Sequence, residues 1–427
     1  MSDIQQNMTL EPAAPVFPGD AAESVEVSGA DSAAREKVNK HGWSVLAILS
    51  ALMGFASIST DLYLPAMPDM SRSLGVGPGV VEWTISGYLI GFSLGQLLWG
   101  PIGDRHGRRL PVAIGLLLFI IGSAGCALSD SAATMIFWRV VQAVGACAGV
   151  VLARAMMRDL YKGARASQMM STLMIVMAIA PLLGPIVGGQ ILSFFGWRAI
   201  FWVLVGIGVI TLAALATLPE TLSFQHRNFE PLSLALARYG QLSTNRRLLA
   251  YAGAGGFFYG GIYAYIAGTP FAYITYYHVP QQVYGFLFGI GIIGIMATNF
   301  LNARLVSRLG GTILLLRGST VAASAGIILA VASRTDSGGL WGLVIPLFIF
   351  VSMAGFVVAN SIAGAMENFP ARQAGAVSAL VGAIQYGCGI IGSALVGAFA
   401  NGTPWPLGAV MAIAGIGSFF SSRLLVR

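Results

Sequence analysis

The sequence predicts an all-α membrane protein with twelve transmembrane helices in two six-helix halves. Three observations carry that prediction. The chain is 56% hydrophobic and only 10% charged, where a soluble domain carries about 25% charged residues. Apolar runs recur from residue 42 onward, each near the roughly 20 residues that cross a hydrocarbon core. The connections between them alternate between basic and nearly free of basic residues, which is the positive-inside asymmetry.

Taken in order, the runs predict helices at 42–67, 81–100, 109–128, 132–157, 166–192 and 198–218, then at 247–272, 280–303, 311–332, 340–365, 374–399 and 403–423. Residues 1–41 differ: they are polar, mostly acidic and without apolar periodicity, so a disordered cytoplasmic tail is expected. No positive n-region and apolar h-region precede the first run, so it is expected to stay as an uncleaved helix. Placing the N-terminus in the cytoplasm puts Arg105, Arg108, Arg109, Arg158, Arg246, Arg247, Arg304 and Arg308 on the cytoplasmic side, with Arg72, Arg198 and Arg334 outside. Both termini are then expected to be cytoplasmic. The net charge of +7 orients the chain in a lipid bilayer and implies no nucleic-acid partner.

The longest connection, 219–246, is polar and divides the membrane region into bundles at 42–218 and 247–427, the organisation of a transporter with internal repeats. The loop "GPIGDRHGRR" (100–109) has a degenerate counterpart in "LNARLVSRLG" (301–310), which keeps arginines and loses the aspartate. Small residues four apart, such as Gly145, Gly149 and Ala153, or Ala180, Gly184 and Gly188, let transmembrane backbones approach closely. Pro181 and Pro185 are expected to bend the fifth helix. The three cysteines, Cys126, Cys147 and Cys388, lie in apolar runs without a CxxC spacing, so they read as packing residues. No metal site and no cofactor is expected.

Three charged residues stand out. Asp61, in "SISTDLYLPAM" (57–67), is a carboxylate in an apolar run, where desolvation disfavours the charged form; a group that binds a proton on one side and releases it on the other needs this. The alternative is partial solvation near the end of a helix that Pro65 and Pro68 soon close. Arg139 costs about 2.5–3.5 kcal/mol or more inside a membrane, so it should face a cavity or an anionic partner, unless it snorkels to the outer interface. Gln142 and Gly145 fall near its helical face, a polar stripe that suggests a pathway. Asp104 is an acid in a loop whose positive charge serves topology, so it needs a partner: a helix N-terminus or an arginine such as Arg108.

The loop "GPIGDRHGRR" resembles the signature of the major facilitator superfamily, Gly-x-x-x-Asp-Arg-x-Gly-Arg-Arg/Lys, at every position. The resemblance implies a cytoplasmic latch of Gly100, Asp104, Arg105, Gly107, Arg108 and Arg109, with the aspartate acting through the start of the eleventh helix; Asp159, in "RDLY" (158–161), is grouped with it. The fourth run is similar to the family motif with a membrane-embedded arginine, here Arg139. "APLLGPIVGG" (180–189) is similar to the antiporter motif, with Gly184, Pro185, Gly188 and Gly189 in place. "STDLYLPAMP", "YAYIAGTPFAYI", "RDLY" and "GWRAIFW" look like the bicyclomycin- and chloramphenicol-resistance branch of drug:proton antiporters.

The resemblance implies proton-coupled export of small amphipathic or apolar drugs by alternating access, in a bacterial inner membrane and as a monomer. Protons and drugs would be its partners, with Asp61 and Arg139 coupling the proton. Substrate-contacting candidates are Asp61, Tyr63, Arg139, Gln142, Tyr259, Tyr263, Asn360 and Gln385. A major facilitator importer or exporter of a natural metabolite is the alternative. An intramembrane enzyme is disfavoured, because the four histidines sit at run ends or in loops and no P-loop pattern occurs.

Overall fold

A computed structural model describes residues 42–161, 163–227, 240–367, 369–370 and 373–425. The acidic tail and the central stretch 228–239 of the long connection lie outside the described residues. The first helix runs Gly42–Asp61, passes through a 3-10 turn at Leu64–Ala66 and resumes over Met67–Ser73. Its break follows from the prolines. Pro65 has no N–H for the carbonyl of Asp61 four residues earlier, and Pro68 has none for that of Leu64.

The other helices of the first half are the second, Pro78–His106, the third, Arg109–Ala127, the fourth, Ala132–Leu160, the fifth, Gly163–Phe195, and the sixth, Trp197–Leu215. In the second half the seventh spans Arg246–Pro270, the eighth Gln281–Leu309 and the ninth Gly311–Thr335. The tenth is split into Gly339–Ser352 and Ala354–Met366, and the eleventh and twelfth cover Ala374–Ala398 and Trp405–Arg423. Among the described residues nine helices are long and apolar enough to cross a membrane. Large apolar side chains such as Phe137, Phe194, Ile210, Phe286 and Ile345 face outward, as a lipid-exposed surface requires.

One expectation is corrected. The 100–109 stretch is not a loop throughout: the second helix continues to His106 and the chain turns only at Gly107, φ +88°. Gly100 and Gly103 are helical, and a side chain on Gly103 would collide with Leu152 of the fourth helix. Pro181 and Pro185 lie within a continuous fifth helix. The breaks fall elsewhere, at Asp61, at Met353 between the two parts of the tenth helix, and after Pro270, where a π-helical turn spans Phe271–Tyr276.

Within the first half the second and third helices pack on the fourth; within the second, the seventh packs on the eleventh and the ninth on the twelfth. The halves meet along two seams, second helix to eleventh and fifth to eighth. Both seams are closed at one end. Ser86 and Ser393 hydroxyls lie 2.8 Å apart, Gln281 donates to Asp69 at 2.9 Å, and Gly285 lies against Ile186. Toward the other end, Arg154 of the fourth helix is exposed and the Asp104 side chain is half-exposed.

Candidate functional site

Asp61 is the last residue before the break in the first helix, and it is 4% exposed. Thr60 Oγ1 donates to its Oδ1 at 3.2 Å. The fifth helix is pressed against this point by its glycines. A Cβ on Gly184 would sit 3.0 Å from the Asp61 Cβ, and one on Gly188 would overlap the Leu62 carbonyl oxygen. Gly189 faces the other way, toward Gln281 and Gln282 of the eighth helix, so the same helix touches the acidic break and the inter-half seam. Gly188→Ala is therefore expected to destabilise the protein by about 1–3 kcal/mol through overpacking, read as thermal unfolding in detergent. An unchanged melting curve would refute the tight contact.

Arg139 is fully buried on the fourth helix. Its guanidinium lies between two tyrosine rings, 4.3 Å from the Tyr63 centroid and 4.4 Å from that of Tyr88, a cation–π sandwich. Nη1 donates to the Ser59 carbonyl at 2.9 Å and to Gln142 Oε1 at 2.7 Å, while Nε and Nη2 have no partner. Arg139 thus grips the first helix on both sides of Asp61, at Ser59 and Tyr63. Among the described residues it forms no ion pair with Asp61.

The remaining predicted contacts separate into two sets. Gln142 donates to Ser123 at 2.8 Å, on the third helix, and is buried inside the first half; the polar stripe it was expected to form along a pathway is not there in this conformation. Tyr63 is likewise internal, its hydroxyl on Thr84 at 3.0 Å. Asn360 bonds Asn302, and Gln385 bonds Ser361, both inside the second half. Tyr259 and Tyr263 belong to an aromatic cluster that bridges the halves. Tyr88 stacks with Phe92, Phe92 with Tyr386 at 5.1 Å, and Tyr386 with Tyr259 and Tyr263 at 5.8 and 6.2 Å. The chain of rings runs from the Arg139 sandwich to the seventh helix. Among the described residues the hydroxyls of Tyr259, Tyr263 and Tyr386 hold no hydrogen bond.

The signature segment forms a charge cluster within the first half. Arg108, almost buried, pairs with Asp104 at 2.6 Å and with Asp159 at 3.0 Å. Burial alone would weaken its hold on the proton, but the two carboxylates outweigh that and raise it above its ordinary range. Glu220 caps the third helix, accepting from the backbone N–H groups of Arg108 and Arg109 at 2.7 and 3.1 Å, where an acid is stabilised by the helix dipole. A side chain on Gly107 would press into the Glu220 carboxylate. Arg105 and Arg109 are exposed, and Gly100 takes no part.

Several of these residues escape a sequence reading. Glu220 carries the same signal as Asp104, an acid in a region whose positive charge serves topology. Arg154 is an arginine within an apolar run, and it is exposed. Tyr88 and Phe92 give no signal, because aromatic residues four apart on an apolar helix read as ordinary packing.

The Major Facilitator Superfamily profile matches residues 47–393. The chain is 35% identical over 375 residues to an MFS-type transporter of Bacillus subtilis, YdgK, covering 86% of this chain and 92% of that one. It is 31% identical over 363 residues to the bicyclomycin resistance protein homolog of Haemophilus influenzae, covering 85% and 90%. The crystal structure of the nucleoside transporter NupG superposes with a TM-score of 0.74 at 14% identity, over 90% of this chain and all of that one, a likeness of fold. With its helices, its signature segment and these matches taken together, the chain belongs to the Major Facilitator Superfamily, in the branch of the bicyclomycin-resistance relatives.

Proposed function

We propose that this chain exports small amphipathic or apolar drugs in exchange for protons, by rocking two halves, 42–218 and 247–427, joined by a cytoplasmic connection at 219–246. Both termini lie in the cytoplasm of a bacterial inner membrane, and the protein works as a monomer. Under that orientation the closed end of the seams faces outward and the conformation described here is open to the cytoplasm. The relative named for bicyclomycin resistance supports drugs as the cargo. The alternative cargo, a natural metabolite, is decided by the assay below.

One observation carries the reading: a buried carboxyl at a helix break, seated on the antiporter-motif glycines and beside an arginine with two spare buried donors. With its proton, Asp61 is neutral and held by Thr60. When it releases the proton to the cytoplasm, the carboxylate draws on Nε and Nη2 of Arg139. That pulls the first helix toward the fourth and shifts the break against Gly184 and Gly188, on the helix that also touches the eighth. Protonation and substrate occupancy then favour opposite states, which is what exchange requires. The ring cluster of Tyr259, Tyr263, Tyr386 and Phe92 supplies the apolar, hydroxyl-bearing wall for the drug.

The test is a susceptibility panel, including chloramphenicol and bicyclomycin, in an efflux-deficient host expressing wild type or Asp61→Asn. Wild type is expected to raise resistance and the variant is not; equal susceptibility of wild type and empty host across the panel would remove drugs as the cargo. The charge cluster has its own expectation. Asp104→Asn frees Arg108 from one of its two partners and removes the acid that would close the cytoplasmic end. Labelling of a cysteine reporter at that end should rise about two- to fivefold, the equivalent of 0.3–1 kcal/mol. Unchanged labelling would exclude a latch at Asp104.

A further inference from the structure

Glu82 lies one turn into the second helix at the closed end, 3% exposed, and its Oε2 has no hydrogen-bond partner. It lines a cavity that both halves build, with Phe271, Thr275 and Tyr276 after the seventh helix and Asn401 and Thr403 before the twelfth. Asn401 and Thr403 are already bonded to each other, and Thr403 also accepts from the Trp405 N–H. The carboxyl is wedged into the seam: a methyl on Gly397 of the eleventh helix would sit 3.4 Å from Oε2. The next rung along the same helix faces is the Ser86–Ser393 pair.

Charged and titratable groups nearby leave Glu82 without a counter-ion. Tyr276 is the titratable residue in the cavity wall. Beyond the wall, Tyr277 donates to Asp336, and Arg334 lies 5.7 Å from the Trp405 ring. Asp69 is taken by Arg72 and Gln281. An ionised carboxylate with no partner is not stable in such a place, so closure of the seam requires a neutral Glu82.

We propose that Glu82 is a second proton-binding site, whose protonation permits the second and eleventh helices to close and whose ionisation holds them apart. The proposal deepens the proton-exchange reading by giving the outer end its own proton sensor, separate from Asp61. In the outward-open state Glu82 meets the external medium; an acidic exterior protonates it and lets the seam shut. No covalent step is involved, only one proton taken from water at the carboxylate.

The experiment is disulfide formation between Ser86→Cys and Ser393→Cys, in full-length protein lacking Cys126, Cys147 and Cys388, as external pH is raised from 5 to 9. Cross-linking is corrected for cysteine ionisation by a reporter pair placed within one half. Corrected yield is expected to fall severalfold as pH rises. Glu82→Gln should keep it high and flat, and Glu82→Asp should retain a pH dependence, which shows that the site titrates and not merely packs. A flat profile in the parent, or the same slope in Glu82→Gln, overturns the proposal. The pH response should persist with Asp61→Asn present. Because the readout needs no transport, it stands or falls apart from the antiport reading.

Discussion

Asp61→Asn is expected to abolish pH-driven drug uptake into everted vesicles, down to the level of vesicles without the protein, while purification yield and melting temperature stay those of wild type. Asparagine keeps the volume and the polar contact with Thr60 and imitates the protonated acid, so the break in the first helix is preserved. What is lost is the ionised state that competes for Arg139. Downhill movement of drug, which needs no proton, is expected to survive in the variant. Uphill transport at normal rates by Asp61→Asn would take this residue out of the coupling step. A variant that fails to purify would instead mean that the carboxyl is structural.

Arg139→Ala is expected to cause the largest loss of stability of any single change in the site. It leaves the Ser59 carbonyl and Gln142 Oε1 without their donor and empties the space between the Tyr63 and Tyr88 rings. Each buried acceptor left without its donor costs about 1–3 kcal/mol, and the space left between the rings adds to that. Thermal unfolding in detergent measures it. Arg139→Lys keeps the charge but loses the planar guanidinium that lies between the Tyr63 and Tyr88 rings, so it should fold and transport poorly. Wild-type melting and wild-type transport in Arg139→Ala would show that the guanidinium neither positions the first helix nor serves the proton.

The helices were legible because a membrane imposes length and apolarity on every span, and the expected boundaries for the third, ninth and eleventh helices fall within a few residues of the observed ones. Boundaries were misread where local composition is a weak guide. The second helix outlasts its apolar run because it ends in water, where the charged "DRH" costs nothing to keep helical. The first passes its prolines because the chain can change to a 3-10 turn and resume.

Asp61, Arg139 and the proline pair Pro181 and Pro185 could be named from residue types alone, since a charge or a proline in hydrocarbon needs a reason; the 180–189 motif rested on family resemblance. Their relation could not. That Gly184 and Gly188 seat the acid, that Arg139 reaches Ser59 and not the carboxylate, and that Gln142 and Asn360 turn inward depend on how helices far apart in sequence face one another.

The sequence by itself determined that this is a multi-span membrane protein of two halves and which charges are too costly to be incidental, because burial in lipid penalises each residue one at a time. Only the tertiary structure decided which of those residues share a site, brought Tyr88 and Phe92 into it, set Glu82 apart at the seam's closed end, and closed that end. Those outcomes are set by packing between helices, and packing energy belongs to pairs of surfaces, which no single residue or run encodes.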